Sequence, residues 1–423
     1  MISEQSGHRV SRSCAAAIVG GGPAGIAAAI SAKRNGADIL ICEKMPRLGK
    51  KLLATGGGRC NLSNRAIDSS FYNESARAIA AAVFKRFGGE KINNFFEELG
   101  LKLYDEDGRV FPITNQASSV LKVLEIELAR LSIPVELNFD VMDISCRQNH
   151  FIIRSRGNRV VECGSVILAS GGKTLPASGS DGSSYNLAKP FGHSIIEPAP
   201  SAVPLMVKKR LCHLLQGQRI RAGVKAVIDG RVVSEAQGEL LFTKYGLSGT
   251  AVLDISEEIS IAINRDGKRD VCVVCDLVPF MGLGELKDEL RRRLKRGIPI
   301  VDMLSGLLPD KFGAAFGNIL AGGDPAKIAR ELKGRRFQVS ATRGWNEAEF
   351  TAGGVDIKDV NEDTLESKLK KGLYFAGEVL DVDGKRGGYN LAWAWASGMA
   401  AGLLGTVPDL SAEALAKAEG GCP

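Results

Sequence analysis

Residues 15–30 read AAAIVGGGPAGIAAAI, an apolar run followed by three glycines at the spacing G-x-G-x-x-G and an alanine-rich segment that favours a helix. A second apolar run, 38–42, ends at Glu43, 18 residues after Gly25. The pattern predicts a strand–turn–helix–strand unit. Such a unit binds a pyrophosphate at the N-terminus of its helix and a ribose at the acid that ends the second strand.

Each of the three glycines has a physical role in this unit. Gly20 allows the tight turn, Gly22 lets a pyrophosphate approach the backbone, and Gly25 lets helix and strand pack closely. The alternative is a tight turn that binds nothing, which explains one glycine but not three glycines and a placed acid. Glu43 also disfavours a 2′-phosphate, so NADP is not expected at this site.

Length and composition indicate a cytoplasmic protein of two or three domains. The 423 residues are 44% hydrophobic and 24% charged, and no apolar run approaches the ~20 residues that span a bilayer. Nine scattered cysteines indicate reduced thiols. The C-x-x-C at 272–275 lies in a strand-like run, which places its thiols on opposite faces, and with four histidines the chain suggests no metal site.

The net charge of +7 raises the question of nucleic acid, and the densest basic run is RRRLKR at 291–296. Acidic residues precede this run, which is typical of a solvated helix face whose charges complement the helix dipole. The run also lacks the interleaved aromatic residues of a single-strand binder. We therefore expect a small-molecule substrate rather than nucleic acid, and the oligomeric state stays open.

A second glycine-rich loop follows Glu43, in the sequence KMPRLGKKLLATGGGRCNLSN at 44–64. Its glycines and basic residues, among them Lys44, Lys50, Gly57 and Gly58, predict a positively charged, backbone-rich site close to the first loop. The alternative is a flexible linker, but linkers lack interspersed Arg, Cys and Asn.

Periodicity organises the rest of the chain. Segments 74–100 and 117–131 are predicted to be helical, 101–115 a hairpin turning at Asp107-Gly108, and 135–144 and 150–154 strands. The run 166–172 predicts a buried strand that brings Ala169 and Gly171 against a cofactor. Composition changes near residue 195. We predict a discontinuous nucleotide-binding domain (1–195 and 341–423), interrupted by a strand-rich part (196–280) and a helical part (281–340).

The C-terminal stretch 372–391 distinguishes FAD from NAD. A short strand ends in Gly377-Glu378, and a glycine-rich turn through Gly388 leads into a helix that starts near Asn390 and Leu391. A carboxylate at a strand end binds a ribityl hydroxyl, and a helix N-terminus stabilises negative charge on a reduced flavin. An NAD domain has no need of this second element, so the expected cofactor is FAD.

Four motifs carry a family resemblance: GKKLLATGGGRCNLSN (49–64), GELLFTKYGLSGTAVLDIS (238–256), TRGWNEAEFTAGGV (342–355) and GLYFAGEVLDVDGKRGGYNLAW (372–393). They resemble the bacterial YhiN/BaiN-like (HI-type) FAD flavoproteins, a family with aminoacetone-oxidase-like and bile-acid-reductase-like members. The resemblance implies an α/β fold, a Rossmann-type FAD-binding domain of the glutathione-reductase class with inserted β-barrel-like and small helical domains. It also implies that Val141 supplies backbone to the adenine. Ala392 and the Lys385-Arg386 pair depart from the family pattern.

The predicted function is an FAD-dependent oxidoreductase that transfers hydride between the flavin and a small or medium organic substrate, with NAD(P)H as a transient donor. The expected cofactor-binding residues are Gly20, Gly22, Pro23, Ala24, Gly25, Glu43, Lys44, Lys50, Gly57, Gly58, Val141, Ala169, Gly171, Gly377, Glu378, Gly388, Asn390 and Leu391. The catalytic candidates are Arg59, Cys60 and Asn61; the alternative for Cys60 is simple packing. Two other functions stay open: an FAD-dependent RNA-modifying protein, and a flavoprotein whose structural FAD supports an interaction module.

Overall fold

The computed structural model of the protein describes residues 10–405. Its strands are β1 (Val10–Val19), β2 (Ile39–Cys42), β3 (Ser63–Asn64), β4 (Leu103–Glu106), β5 (Arg109–Pro112), β6 (Val135–Glu136), β7 (Val141–Arg147), β8 (His150–Ser155), β9 (Val160–Leu168), β10 (Ile195–Ser201), β11 (Leu205–Met206), β12 (Arg219–Ile228), β13 (Arg231–Thr243), β14 (Gly246–Ser248), β15 (Val271–Asp276), β16 (Arg335–Gln338), β17 (Ala341–Thr342), β18 (Phe350–Val355) and β19 (Leu373–Phe375).

The α-helices are α1 (Pro23–Arg34), α2 (Arg77–Phe87), α3 (Gly89–Glu98), α4 (Ala117–Arg130), α5 (Tyr185–Ala188), α6 (Arg210–Leu214), α7 (Thr250–Asp254), α8 (Ser256–Asn264), α9 (Leu283–Lys295), α10 (Lys311–Ala315), α11 (Gly317–Leu320), α12 (Pro325–Lys333) and α13 (Tyr389–Ala401). The helices between residues 10 and 405 are too short or too polar to span a bilayer.

The chain divides into two compact units, and the first contains residues up to 172, 177–196 and from 353 onward. Its main sheet has the strand order β6-β2-β1-β9-β8-β7, and β19 pairs with β9. The pairs β6–β2, β2–β1, β1–β9 and β9–β19 are parallel, whereas β8 is antiparallel to both β7 and β9. The parallel part is a Rossmann-type sheet, as predicted, with its apolar strands buried in one core.

Helices α1 and α13 pack against each other through small residues. A Cβ on Gly398 would collide with the carbonyl oxygen of Ala24, and a Cβ on Gly402 would lie 2.5 Å from that of Ala28. The backbones of the two helices therefore approach more closely than any larger side chain permits. This packing links the N-terminal loop to the C-terminal segment, because a Cβ on Gly377 would lie 2.7 Å from the Cβ of Ala24.

The second unit comprises residues 173–176 and 197–352. It contains a seven-stranded sheet of order β16-β15-β12-β13-β14-β11-β17. Strands and helices share one hydrophobic core, in which the ring of Phe242 contacts those of Phe312 and Phe337. The predicted separation into a barrel-like part (196–280) and a helical part (281–340) therefore does not divide the core, and helices α7 and α8 already interrupt the strand-rich part.

The boundaries of the second unit also differ from the predicted ones. The chain leaves it after residue 352 rather than 340. The reason is β17, whose Ala341 and Thr342 pair with Met206 and Leu205 in the sheet of the second unit. Such a pairing, more than 130 residues apart in sequence, leaves no local signal.

Two predicted elements are interrupted in the structure. The helical stretch 74–100 forms α2 and α3, separated at Gly88, whose backbone is extended. The strand expected over 135–144 forms β6 and β7, because Asn138 between them takes a left-handed conformation (φ 53°). The hairpin at Asp107-Gly108 forms as predicted, with both residues at positive φ.

Candidate functional site

The predicted site residues meet where the parallel strands end. The carboxyl ends of parallel strands lie at the same edge of a sheet, which is where open α/β sheets bind their ligands. The residues that follow the strands are linked across this edge: the N–H of Gly20 donates to Cys42 (2.9 Å), that of Ala169 to Val19 (2.9 Å) and that of Ala376 to Leu168 (2.9 Å). Four segments distant in sequence thus converge here.

The first loop has the geometry that the glycine spacing predicts. Gly20 has φ 110°, and a Cβ there would lie 2.6 Å from the carbonyl oxygen of Ala169. A Cβ on Gly25 would collide with the carbonyl oxygen of Gly20, so helix and turn touch at this residue. Nothing lies within 4 Å of the Cβ position of Gly22. The loop therefore has free space at the residue where a pyrophosphate is expected.

Helix α1 starts as a phosphate-binding helix does. Pro23 occupies its first turn, followed by Ala24, and no side chain caps the backbone N–H groups at Gly22. The first turn contains no acidic residue that would compete with an anion. The N-terminus of the helix is therefore suited to a negatively charged ligand.

Glu43 is held rigidly at the end of β2. Its Oε2 accepts a hydrogen bond from the N–H of Gly21 (2.6 Å), and its Oε1 accepts one from the N–H of Met45 (2.7 Å). Burial raises the pKa of the carboxyl group, and the same two N–H groups partly offset this by binding the charged form. Each oxygen keeps a second lone pair, so the carboxylate is fixed in place to accept ribose hydroxyls.

Lys44 and Lys50 have protein partners in the structure. The ammonium group of Lys44 lies 2.8 Å from Oδ2 of Asp181, and that of Lys50 donates to the carbonyl oxygen of Ala177 (2.7 Å). Both lysines thereby tie the segment 177–181 to the loop after β2. The direct cofactor contact that the sequence suggests for them stays a prediction.

Val141 opens β7 and pairs with Ser155. The chain just before it runs beside the end of β2, because the N–H of Phe139 donates to the carbonyl oxygen of Glu43 (2.8 Å). The backbone at 139–141 is thus close to the residue expected to bind the adenosine ribose. Its contact with the adenine stays a prediction.

The second glycine loop, Leu52–Gly58, consists of two short 3-10 turns separated by a kink at Thr55, Gly56 and Gly57, and Gly57 and Gly58 have φ 65° and 90°. Arg59, directly after it, is anchored to the β4–β5 hairpin. Its guanidinium group pairs with Glu106 (2.7 Å), donates to the hydroxyl of Tyr104 (2.7 Å) and lies 4.3 Å from the centre of the Phe111 ring. The hydrogen bonds to Glu106 and Tyr104 raise the pKa of Arg59, and most of its N–H donors are used within the protein.

Cys60 and Asn61 have different surroundings. The thiol of Cys60 is fully buried, and burial raises its pKa to about 12, which is unfavourable for a redox thiol. The packing alternative for Cys60 fits this geometry better. Asn61 instead has a buried Oδ1 with no hydrogen-bond partner, close to the position that a Cβ on Gly388 would take (2.7 Å). An unpaired acceptor of this kind is expected where a ligand binds.

The C-terminal segment presents the end of a buried helix. Gly388, at φ 100°, precedes α13, and a Cβ on it would collide with the carbonyl oxygen of Ser63. The side-chain amide of Asn390 stabilises the turn: its Oδ1 accepts a hydrogen bond from the N–H of Gly384 (2.8 Å), and its Nδ2 donates to the carbonyl oxygen of Gly384 (2.7 Å). Asn390 therefore shapes the loop with its side chain, and the half-buried Leu391 packs against the core beside it.

Glu378 follows strand β19 and places a carboxylate at the C-terminal part of the candidate site. Its Oε2 lies 2.6 Å from the ammonium group of Lys51, 3.4 Å from the N–H of Gly172 and 3.9 Å from the Cβ position of Gly171. The preceding residue, Gly377, donates its N–H to the hydroxyl of Ser397 in α13 (2.9 Å). The strand end, the second glycine loop and α13 are therefore joined at this point.

A family model, the HI0933-like protein Rossmann domain, matches residues 14–404. The chain belongs to the HI0933-like family. It is 37% identical over 401 residues to a 3-dehydro-bile acid Δ(4,6)-reductase of Clostridium scindens, over 91% of this chain and 97% of the relative. It is 29% identical to a ribosomal RNA dihydrouridine synthase of Escherichia coli, over 91% of this chain and 96% of that protein. Among solved structures, an open flavocytochrome c3 fumarate reductase aligns with a TM-score of 0.46 at 16% identity, over 94% of this chain and 78% of that one.

This HI0933-like protein has residues that fit FAD. Space lies open at Gly22, the Glu43 carboxylate is oriented by two N–H groups, and Asn61 has an unpaired oxygen beside Gly388. The set fits a pyrophosphate, a ribose and the polar edge of a flavin. With the family membership it makes the chain an FAD-dependent oxidoreductase, as the sequence predicts. No group of side chains suited to a metal ion occurs within residues 10–405.

Three residues beside the candidate site are absent from the predicted set of site residues. Lys51 pairs with Glu378, and the hydroxyls of Ser170 and Tyr185 are buried without hydrogen-bond partners. Ser170 lies inside the predicted strand 166–172 and Lys51 lies inside the motif 49–64, so both had a local signal. Tyr185 lies in the short helix α5, where nothing in the sequence indicates that its hydroxyl is buried.

Proposed function

We propose that this FAD-dependent oxidoreductase reduces a carbon–carbon double bond that is conjugated with a carbonyl group. The main support for this proposal is that the reactions named for two of its relatives are of the same chemical type. A 3-dehydro-bile acid with Δ(4,6) unsaturation has two double bonds conjugated with a ketone, and dihydrouridine is uridine whose ring double bond, next to a carbonyl, is saturated. Both reactions add two hydrogens to an electron-poor double bond.

Bound FAD supplies hydride chemistry at its N5 atom, and the protein supplies binding, orientation and electrostatics. In this chain the Gly20–Gly25 loop and the N-terminus of α1 would hold the pyrophosphate. Glu43 would hold the adenosine ribose and Glu378 the ribityl chain. The N-terminus of α13 would favour negative charge on the flavin end of the cofactor.

A nicotinamide cofactor is part of the proposal as the electron donor. The chain has no second complete G-x-G-x-x-G, so NADH or NADPH would bind transiently. A cytoplasmic location, where both donors are available, is also part of the proposal. The eight cysteines within residues 10–405 are free thiols, which agrees with a reducing compartment.

The test is an anaerobic visible spectrum of the holoprotein, titrated with NADH and then with NADPH. We expect one of them to bleach the flavin band, and a 3-oxo-4,6-diene bile acid to restore it while the product gains the mass of two hydrogens. A band that neither donor bleaches would contradict a nicotinamide-driven reductase. If no donor or substrate of any class reduces the flavin, a structural FAD becomes the better interpretation.

Reduction of uridine in ribosomal RNA is the second candidate. It is favoured by the dihydrouridine synthase relatives and by the net charge of +7. It ranks below a small substrate because the bile acid reductase is more similar to this chain over the same length. Incubation of the reduced holoprotein with unmodified ribosomal RNA, followed by mass analysis of its nucleosides, would show dihydrouridine if this candidate is right.

A further inference from the structure

The ion pair between Lys51 and Glu378 is partly buried. The sequence pattern assigns no role to this pair. Nζ of Lys51 lies 2.6 Å from Oε2 of Glu378, and the two side chains are 21% and 20% exposed. An ion pair shielded from water to this degree is screened less than a surface pair. The charge of the lysine therefore acts mainly on this one carboxylate.

Two buried hydroxyl groups without hydrogen-bond partners belong to this part of the molecule. Glu378 also accepts a long hydrogen bond from the N–H of Gly172 (3.4 Å), two residues after Ser170, whose buried hydroxyl has no partner. The hydroxyl of Tyr185 is buried without a partner too, and burial together with the charges of Glu378 and Asp381 raises its pKa. Tyr185 thus stays a neutral donor, and the surroundings suit a ligand that carries several hydroxyl groups.

We propose that Lys51 is a positioning residue that holds the Glu378 carboxylate in place to accept a hydroxyl of the cofactor's ribityl chain. This inference rests on the proposed FAD cofactor. Without Lys51, the carboxylate loses its 2.6 Å ion pair and with it a contact that orients it. The adjacent Lys50 does not share the task, because its ammonium group bonds the carbonyl oxygen of Ala177.

The experiment measures the dissociation constant of FAD by flavin fluorescence, using apoprotein of the full chain. We expect Lys51→Met to weaken FAD binding about tenfold, the size of one lost charge-assisted hydrogen bond. Lys51→Arg should restore binding to within about threefold of wild type, because the guanidinium group also pairs with a carboxylate. A matched control is Lys358→Met, which removes an ion pair of similar length (2.9 Å to Asp356) in the same unit.

A double-mutant cycle separates positioning from general stabilisation. If Lys51 acts through Glu378, Lys51→Met should cause no further loss of FAD affinity in a Glu378→Gln background. The thermal midpoints of the apoproteins show whether a variant is simply unfolded, and the arginine variant keeps the test valid if the methionine variant fails to fold.

Two results would overturn the inference: FAD affinity of Lys51→Met within threefold of wild type, or an equal loss in both backgrounds. A wild-type protein that binds no FAD would overturn the proposed function together with it. A wild-type protein whose FAD affinity depends on Lys51 as expected, but which reduces no conjugated double bond, would overturn the proposed function alone.

Discussion

The Glu43 carboxylate accepts hydrogen bonds from the N–H groups of Gly21 and Met45, and in the proposed function it also binds the adenosine ribose. Glu43→Gln keeps the shape but removes the charge, so the ribose loses charge-assisted hydrogen bonds. We expect FAD binding to weaken by about 1.5–3 kcal/mol. Titration calorimetry of the apoprotein measures this, with Glu98→Gln, at an exposed ion pair, as the control. Unchanged FAD affinity would remove Glu43 from the ribose site.

We expect His193 to make the stability of the first unit depend on pH. Its side chain is buried, Nε2 lies 2.7 Å from the hydroxyl of Ser367, and burial lowers its pKa below the ordinary value of 6.5 in spite of Asp359 and Asp356. The unfolded chain therefore binds the proton more tightly than the folded one. The stability due to the neutral imidazole is fully present above pH 6.5 and is lost as the pH falls below it.

His193→Gln should accordingly show a flatter fall of the thermal midpoint between pH 7 and 5 than wild type, as followed by circular dichroism. The exposed His150 provides the comparison: His150→Gln should keep the wild-type slope. Equal slopes in all three proteins would show that His193 titrates alike in the folded and unfolded states.

At the scale of elements, the contact between α1 and α13 joins the two ends of the candidate FAD site. Gly398→Ala places a Cβ against the carbonyl oxygen of Ala24 and should cost about 1–3 kcal/mol of unfolding free energy, with loss of FAD affinity as the helices separate. Chemical denaturation measures the first effect. Gly284→Ala is the control, because that helical glycine in α9 has no atom within 4 Å of its Cβ position and should gain stability or stay neutral. A neutral Gly398→Ala would mean that the helices move apart without cost.

At the scale of elements, the sequence predicted those features that depend on residues close to one another in the chain. The unit β1–α1–β2 follows from glycine spacing, apolar runs and one acid, all within about 30 residues. The edge strand β17 and the Lys51–Glu378 pair depend on partners 135 (341 − 206) to 327 residues away, which no window of sequence reveals. Single residues decided the smaller errors: Gly88 divides a predicted helix, and Asn138 divides a predicted strand.

At the scale of the whole molecule, the question is whether the net charge of +7 forms a surface for RNA. The densest basic run lies in α9, where Arg291 pairs with Asp288 and both Arg292 and Arg293 pair with Glu289. Arg293 is only 15% exposed and also binds the carbonyl oxygens of Met303 and Ser305. Much of this charge is therefore balanced within the second unit.

We accordingly expect weak binding to ribosomal RNA with little dependence on salt. Each phosphate contact contributes about 0.7–0.9 to the slope of log affinity against log salt, so a true RNA enzyme with several contacts loses orders of magnitude between 50 and 200 mM. Fluorescence anisotropy with a labelled ribosomal RNA hairpin, at several salt concentrations, measures the slope. A slope near that of a single contact agrees with a small substrate. A slope that corresponds to several phosphate contacts, and that becomes smaller when Arg291 and Arg292 are changed to Glu, would favour uridine reduction as the function. In that case this face of α9 would bind RNA in spite of its ion pairs.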